Sequence, residues 1–191
     1  MTDNPVFKKL LRGNRLYVEG NSKHPHSSPS SRKKCAQGQS PAAAVLACAD
    51  SRVAPEILFD QGLGDLFVTR VAGNITNPMI LGSLEYAVEH LGTRLIVVLG
   101  HNRCGAVGAA VSGKALPGHL PSLTRPIARA VKKTQKQPGD AVDNAAKENV
   151  RRVVKKIRTC KPLLDTLVDK GTLEVVGAFY DLDTGKVEPI E

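Results

Sequence analysis

The chain contains no tryptophan, and its 191 residues carry only four phenylalanines and three tyrosines. So few rings leave no stacking platform for single-stranded nucleic acid. No apolar run approaches the ~18 residues that span a bilayer. The sequence is polar from Asp3 onward, without the apolar centre of a signal peptide. Four cysteines are too few to frame a chain of this length with disulfides, which suits a reducing compartment. The expected location is cytoplasmic, with no membrane partner. Acidic residues are also scarce: 18 Asp and Glu stand against 27 Lys and Arg, a formal net charge of +9. Much of the excess is local, in Arg32-Lys33-Lys34, in Lys132, Lys133 and Lys136, and between Lys147 and Lys161. In that last segment Val142, Ala145, Ala146, Val150, Val153, Val154 and Ile157 fall at helical spacing. Arg151, Arg152, Lys155 and Lys156 then read as a solvated outer face. No nucleic-acid partner is expected.

What is present alternates between helix and strand. A helix is expected over about 4–17, with Pro5 near its start and Phe7, Leu10 and Leu11 on one side. Gly20 to Gln37, rich in Ser, Pro and Lys, reads as an extended arm or surface loop, and its His24 and His26 as solvent-exposed. Strands are expected at about 42–48, 66–71, 94–100 and 173–179. A helix capped by Asn77 and Pro78 carries Ile80, Leu84, Ala87, Val88 and Leu91 as its apolar stripe. Further helices fall near 104–112, 122–136, 141–159 and 162–170. Asp183-Thr184-Gly185-Lys186 is a turn signal that can fold back a short final strand. Near-continuous apolar strands separated by helices imply an α/β fold with a mostly parallel sheet covered on both faces. The length suits one domain over 1–191, with a helix and arm in 1–41 and the α/β core in 42–191.

In such sheets ligands bind beyond the carboxyl ends of the strands. Two apolar runs end in metal-ligating chemistry. Ala42 to Ala47 leads into Cys48-Ala49-Asp50-Ser51-Arg52, and Leu95 to Leu99 leads through Gly100 into His101-Asn102-Arg103-Cys104-Gly105. Two thiolates and one imidazole form a zinc ligand set, and three protein ligands leave a fourth position open, the mark of a catalytic site. Either half alone is a weak signal, because a buried cysteine is more often a small hydrophobe. Together they assign Cys48, His101 and Cys104 to one zinc per chain, and they require the two strands to be neighbours. Cys35 and Cys160 are left as free thiols. Ionisable groups just after a buried strand are costly unless paired, and Asp50 and Arg52 are spaced to face the same way. Asp50 can then orient a zinc-bound hydroxide, with Arg52 holding the carboxylate ionised.

The two motifs resemble those of the β-class carbonic anhydrases, C-x-D-S-R followed by H-x-x-C-G. The resemblance extends through Gly38 to Pro41, Gly64 to Asn74, Ser83 to Val88 and Gly177 to Asp181, and covers the chain from about Asn4 to its end. It implies a parallel core in the order 2-1-3-4 with a short C-terminal strand. It also implies reversible hydration of carbon dioxide to bicarbonate and a proton. By the same resemblance Gln39 is an amide donor, Phe67 and Tyr86 wall the pocket, and the Gly105 backbone lies near the bound anion. The positions of Gln39, Phe67 and Tyr86 face a neighbouring subunit's zinc, which implies a homodimer or a dimer-based oligomer. The N-terminal helix and arm, with little to bury against alone, are expected to wrap that partner.

In one branch of the family the aspartate closes onto zinc at lower pH, beside a pocket built with a tryptophan three residues before the first cysteine. Here that residue is Val45, although Arg70 matches the pocket's arginine. Asp50 would be a ligand only in such a closed state and is expected to stay on Arg52. Ala49 and Ala106 depart from the commoner Ser and Gly, altering pocket shape and no ligand. The alternatives are a related zinc hydrolase acting on carbonyl sulfide or carbon disulfide, and a basic binding protein whose zinc only supports the fold. Asp50 and Arg52 beside an open zinc argue against the latter.

Overall fold

Parallel strands need a helix between each pair and cover on both faces, and the chain supplies both. The structure is a computed structural model that describes residues 3–191. Strands β1 (Ala43–Ala47), β2 (Leu66–Arg70), β3 (Leu95–His101), β4 (Glu174–Tyr180) and β5 (Val187–Ile190) form one sheet in the order β2-β1-β3-β4-β5. The first four are parallel, and β5 returns antiparallel to β4. Every residue of β1 and β3 is buried, the burial that unbroken Ala, Val, Leu and Ile runs call for. The expected α/β class and strand order are borne out, and β1 and β3 lie side by side.

The helices are α1 (Pro5–Val18), α2 (Pro29–Cys35), α3 (Pro55–Leu58), α4 (Pro78–Glu89), α5 (Gly105–Ser112), α6 (Pro121–Thr134), α7 (Ala141–Arg158) and α8 (Leu164–Asp169). Side chains alternate along each strand. Ala43, Val45 and Ala47 therefore pack with Phe7 of α1 and Leu58 of α3 on one face. Ala44 and Leu46 pack with Leu84 of α4, Val150 of α7 and Leu164 of α8 on the other. A third cluster joins Cys48 and Cys104 to Val107 of α5, Ile127 of α6 and Ala145 of α7, and roofs the carboxyl ends of β1 and β3. Among the described residues no helix is long and apolar enough to cross a membrane.

The N-terminal region differs from expectation in two places. The Gly20 to Gln37 segment contains α2, because the Ser28 hydroxyl accepts the Ser31 N–H while Pro29 occupies the first turn. And α1 packs on its own chain. Phe7 and Leu10 are buried. Gly13 lies so near the end of α3 that a Cβ there would stand 1.8 Å from the Phe59 carbonyl oxygen. The buried Asn14 amide donates to the carbonyls of Leu58 (3.0 Å) and Gly185 (2.9 Å) and accepts the Val187 N–H at 2.8 Å. The helix thus satisfies backbone groups at the end of α3 and the start of β5, and buries Phe7 and Leu10 within its own chain.

Candidate metal centre

Two turns present the cluster. After β1, the Cys48 to Arg52 turn is clamped by Arg70, the last residue of β2. Arg70 donates from Nε to the Cys48 carbonyl at 3.0 Å and from Nη2 to the Asp50 carbonyl at 2.6 Å. After β3, Arg103 takes a left-handed backbone conformation (φ 50°) that turns the chain sharply, and Cys104 becomes the N-cap of α5. Buried Asn102 anchors this turn. Its N–H donates to the Tyr180 carbonyl, its Nδ2 donates to Asp181, and its Oδ1 accepts the Leu182 N–H at 2.8 Å.

The turns bring Cys48, His101 and Cys104 together, all buried, with their ligand atoms within 4.8 Å of one another. The two sulfurs are 3.9 Å apart. His101 is fully buried, and its Nδ1 lies 2.8 Å from the Asn102 carbonyl. Only a protonated Nδ1 can make that hydrogen bond, so Nε2 keeps its lone pair, and Nε2 is a buried polar atom without a partner. Such an orphan costs about 1–3 kcal/mol unless something fills the space it faces. The thiols carry the same message. The pKa of Cys48 is pulled down to about 4, first by the hydrogen bond from the Cys104 thiol and further by the backbone N–H groups of Gly73 and Asp50, against the opposing effect of burial. Cys104 is pushed up because it keeps the shared proton and because it is buried. One proton serves two sulfurs. A divalent cation in its place would be held by two thiolates and the free imidazole nitrogen, a donor set that suits zinc.

Around Cys48 the protein donates two backbone N–H groups, from Gly73 at 3.3 Å and Asp50 at 3.4 Å. Gly73, in the 3₁₀ turn Ala72–Asn74, has φ 75°, and a Cβ there would stand 2.7 Å from Ile127 Cδ1. Its carbonyl accepts the buried Asn149 amide at 2.9 Å. No sequence motif assigns a role to Asn102, Gly73 or Asn149. The signal for Asn149 was its place on the inward stripe of α7, one turn after Ala145 and one before Val153, where a polar side chain needs a partner.

Asp50 and Arg52 form a two-pronged pair. Asp50 Oδ1 accepts Arg52 Nε at 2.9 Å and the Arg52 backbone N–H at 3.0 Å, and Oδ2 accepts Nη2 at 2.8 Å. The Arg52 guanidinium holds the Asp50 carboxyl well below the usual carboxylate range, against the opposing effect of burial. Asp50 Oδ2 lies 3.9 Å from His101 Nε2, at the edge of the cluster.

Three other residues named from the sequence lie elsewhere. Gln39 is exposed before β1, Phe67 is half-buried on the edge strand β2, and Tyr86 of α4 is 47 % exposed. The Phe67 and Tyr86 rings meet at 6.2 Å between centroids. Phe67 is level with Ala44 in the sheet, four residues before Cys48, and so sits roughly 13 Å back along the strands. Among the described residues no hydrogen bond joins these three to the cluster. Gly105 opens α5, exposed and next to Cys104.

The family model described as carbonic anhydrase matches residues 43–187. Carbonic anhydrase 2 of Mycobacterium tuberculosis is 41% identical over 189 residues, spanning 96% of this chain and 91% of the relative. The carbonic anhydrase of Mycolicibacterium smegmatis is 39% identical over 191 residues, 97% of this chain and 93% of the relative. Among solved structures, a tetrameric β-carbonic anhydrase from the ascomycete Sordaria macrospora superposes with a TM-score of 0.77 at 26% identity, covering 97% of each chain. A Coccomyxa β-carbonic anhydrase in complex with acetazolamide gives 0.74 at 28% identity, covering 98% of this chain and 86% of the other.

Proposed function

The chain belongs to the β-class carbonic anhydrases, and from that premise we propose that it interconverts carbon dioxide and bicarbonate with one zinc per chain held by Cys48, His101 and Cys104. The observation that carries this reading is His101 Nε2, a buried nitrogen without a partner within 4.8 Å of two cysteine sulfurs. Bound there, zinc supplies a Lewis acid that brings the pKa of a water near neutrality. Arg52 keeps Asp50 ionised and fixes both of its carboxylate oxygens. A carboxylate held this far below its usual range stays ionised and can only accept a hydrogen bond. Asp50 Oδ2 therefore accepts a hydrogen bond from the attacking water and turns its lone pair toward the carbon, while the proton leaves to solvent.

Gln39, Phe67 and Tyr86 of a second copy wall the pocket, and the Gly105 N–H at the start of α5 receives the anion. Position along the strands supports this: within one chain Phe67 lies levels behind Cys48, and its partner ring Tyr86 faces outward. The active unit is then a homodimer or built from dimers, each chain acting as one domain, in a reducing cytoplasm that preserves the thiolates. Metal analysis with stopped-flow hydration tests the reading, with about one zinc per chain and fast hydration expected. Zinc-loaded protein that hydrolysed carbonyl sulfide and left carbon dioxide untouched would overturn it.

A further inference from the structure

Five of the cations behind the net charge of +9 line one groove between α6 and α7 that holds no acidic residue. Arg125 and Arg129 stand one turn apart on α6, and Arg152, Lys155 and Lys156 share one side of α7. Nearby cations are matched: Glu148 meets Lys133 at 2.8 Å and Arg151 at 4.0 Å. Among the described residues the five in the groove have no ion pair. Like charges gathered without a counter-charge repel one another, and an anion from outside the chain relieves that repulsion. The cavity measures about 620 Å³, the size of a small-molecule site and far larger than one phosphate needs. Ile75 and Val153 form a buried apolar floor, and Thr76 adds a hydroxyl at its side.

We propose that this groove binds a small polyphosphate, a molecule carrying two or more linked phosphate groups. Guanidinium and ammonium groups on two facing helices suit phosphates linked a few ångströms apart. The concave shape and the lack of any aromatic lining disfavour a nucleic-acid strand. The proposal does not rest on the hydration chemistry: the groove includes none of Cys48, Asp50, His101 and Cys104, and it meets their surroundings only at Asn149, whose amide is bonded to the Gly73 carbonyl.

Calorimetric titration of the native, zinc-loaded protein with inorganic tripolyphosphate tests it. Saturable binding is expected, weakening as salt is raised. Arg129→Glu and Lys156→Glu, both at exposed positions, should each lose at least about ten-fold in affinity. Lys170→Glu, an exposed cation outside the groove, should bind as the native protein does. Adenosine triphosphate and adenosine run as parallel arms. Equal affinity for the two triphosphates supports recognition of phosphate alone, and tighter binding of the nucleotide supports an organic polyphosphate. Adenosine binding as well as its triphosphate would overturn the proposal. So would the absence of saturation, affinity unchanged in the groove variants, or a heat signal that tracks zinc stripped from the protein. Duplex DNA bound through the same residues, with tripolyphosphate ignored, would overturn it too.

Discussion

His101 has both ring nitrogens assigned by its surroundings: Nδ1 to the Asn102 carbonyl and Nε2 to the space between two sulfurs. The proposed ligands make a sharp distinction among the four cysteines. Cys48→Ser or Cys104→Ser should lose zinc, whereas Cys35→Ser and Cys160→Ser, neither of them buried, should keep it, as read by metal analysis of purified protein. Zinc retained by Cys48→Ser would reject the assignment. Asp50→Asn and Arg52→Ala should keep zinc and lose about 10²-fold or more in turnover, roughly 3 kcal/mol, because they orient and do not anchor. Asn149 works one step further out, through Gly73 to Cys48. Asn149→Ala should weaken zinc affinity by about 10–100-fold in a competition with a chelator. A merely structural role would lower the melting temperature and leave that affinity unchanged. At this scale the ligand positions were legible because Cys48 and His101 each end an apolar run and Cys104 follows His101 by three residues. Asn149 was not, because its role depends on which turn lies opposite α7.

The elements were legible wherever one physical signal dominated. β1 and β3 followed from unbroken apolar runs, and α4 from Asn77, whose side chain accepts the Ile80 N–H. Composition hid α2, since a segment rich in Ser, Pro and Lys reads as loop until Ser28-Pro29 is taken as a cap. The docking of α1 was invisible because it rests on Gly13 and Asn14, whose partners lie in α3 and at the start of β5. The β4–β5 turn offers a test with a definite pH sign. The backbone N–H and hydroxyl of Thr184 hold the Asp181 carboxyl below its ordinary value. A carboxylate depressed in the folded state stabilises fully above its unfolded pKa, near 4, and loses that contribution as pH falls through the folded value. Asp181→Ala should therefore lower the melting temperature at neutral pH, and the gap to the native protein should narrow below about pH 4. A gap independent of pH would show that the hydrogen-bonded charge is not its source.

For the molecule as a whole, the expectation that Asp50 stays on Arg52 meets a consistent arrangement. Val45 is buried in β1 where the switching branch has an indole, and Arg70 is committed to the Cys48 and Asp50 carbonyls. Turnover should follow a shallow one-proton curve with pH and be insensitive to added bicarbonate in stopped-flow assays. A steep, cooperative collapse below neutral pH, deepened by bicarbonate, would count against it. The whole-molecule topology was readable from the alternation of strands and helices. The face proposed to meet a second copy carries no such signal of its own, because Phe67 and Tyr86 look like ordinary core residues in sequence and only the family resemblance singles them out.

Finally, the proposed ligands hang from β1 and β3, neighbours whose every residue is buried and which pair along their length. Small zinc modules are unfolded until the ion arrives, so loading them waits on chain ordering. Here the slowest-exchanging backbone amides should lie in β1 and β3 with or without the ion. Zinc should enter in a single phase, first order in its concentration, and chelation should leave the far-ultraviolet circular dichroism unchanged. For this chain, loading is an encounter with a frame already built.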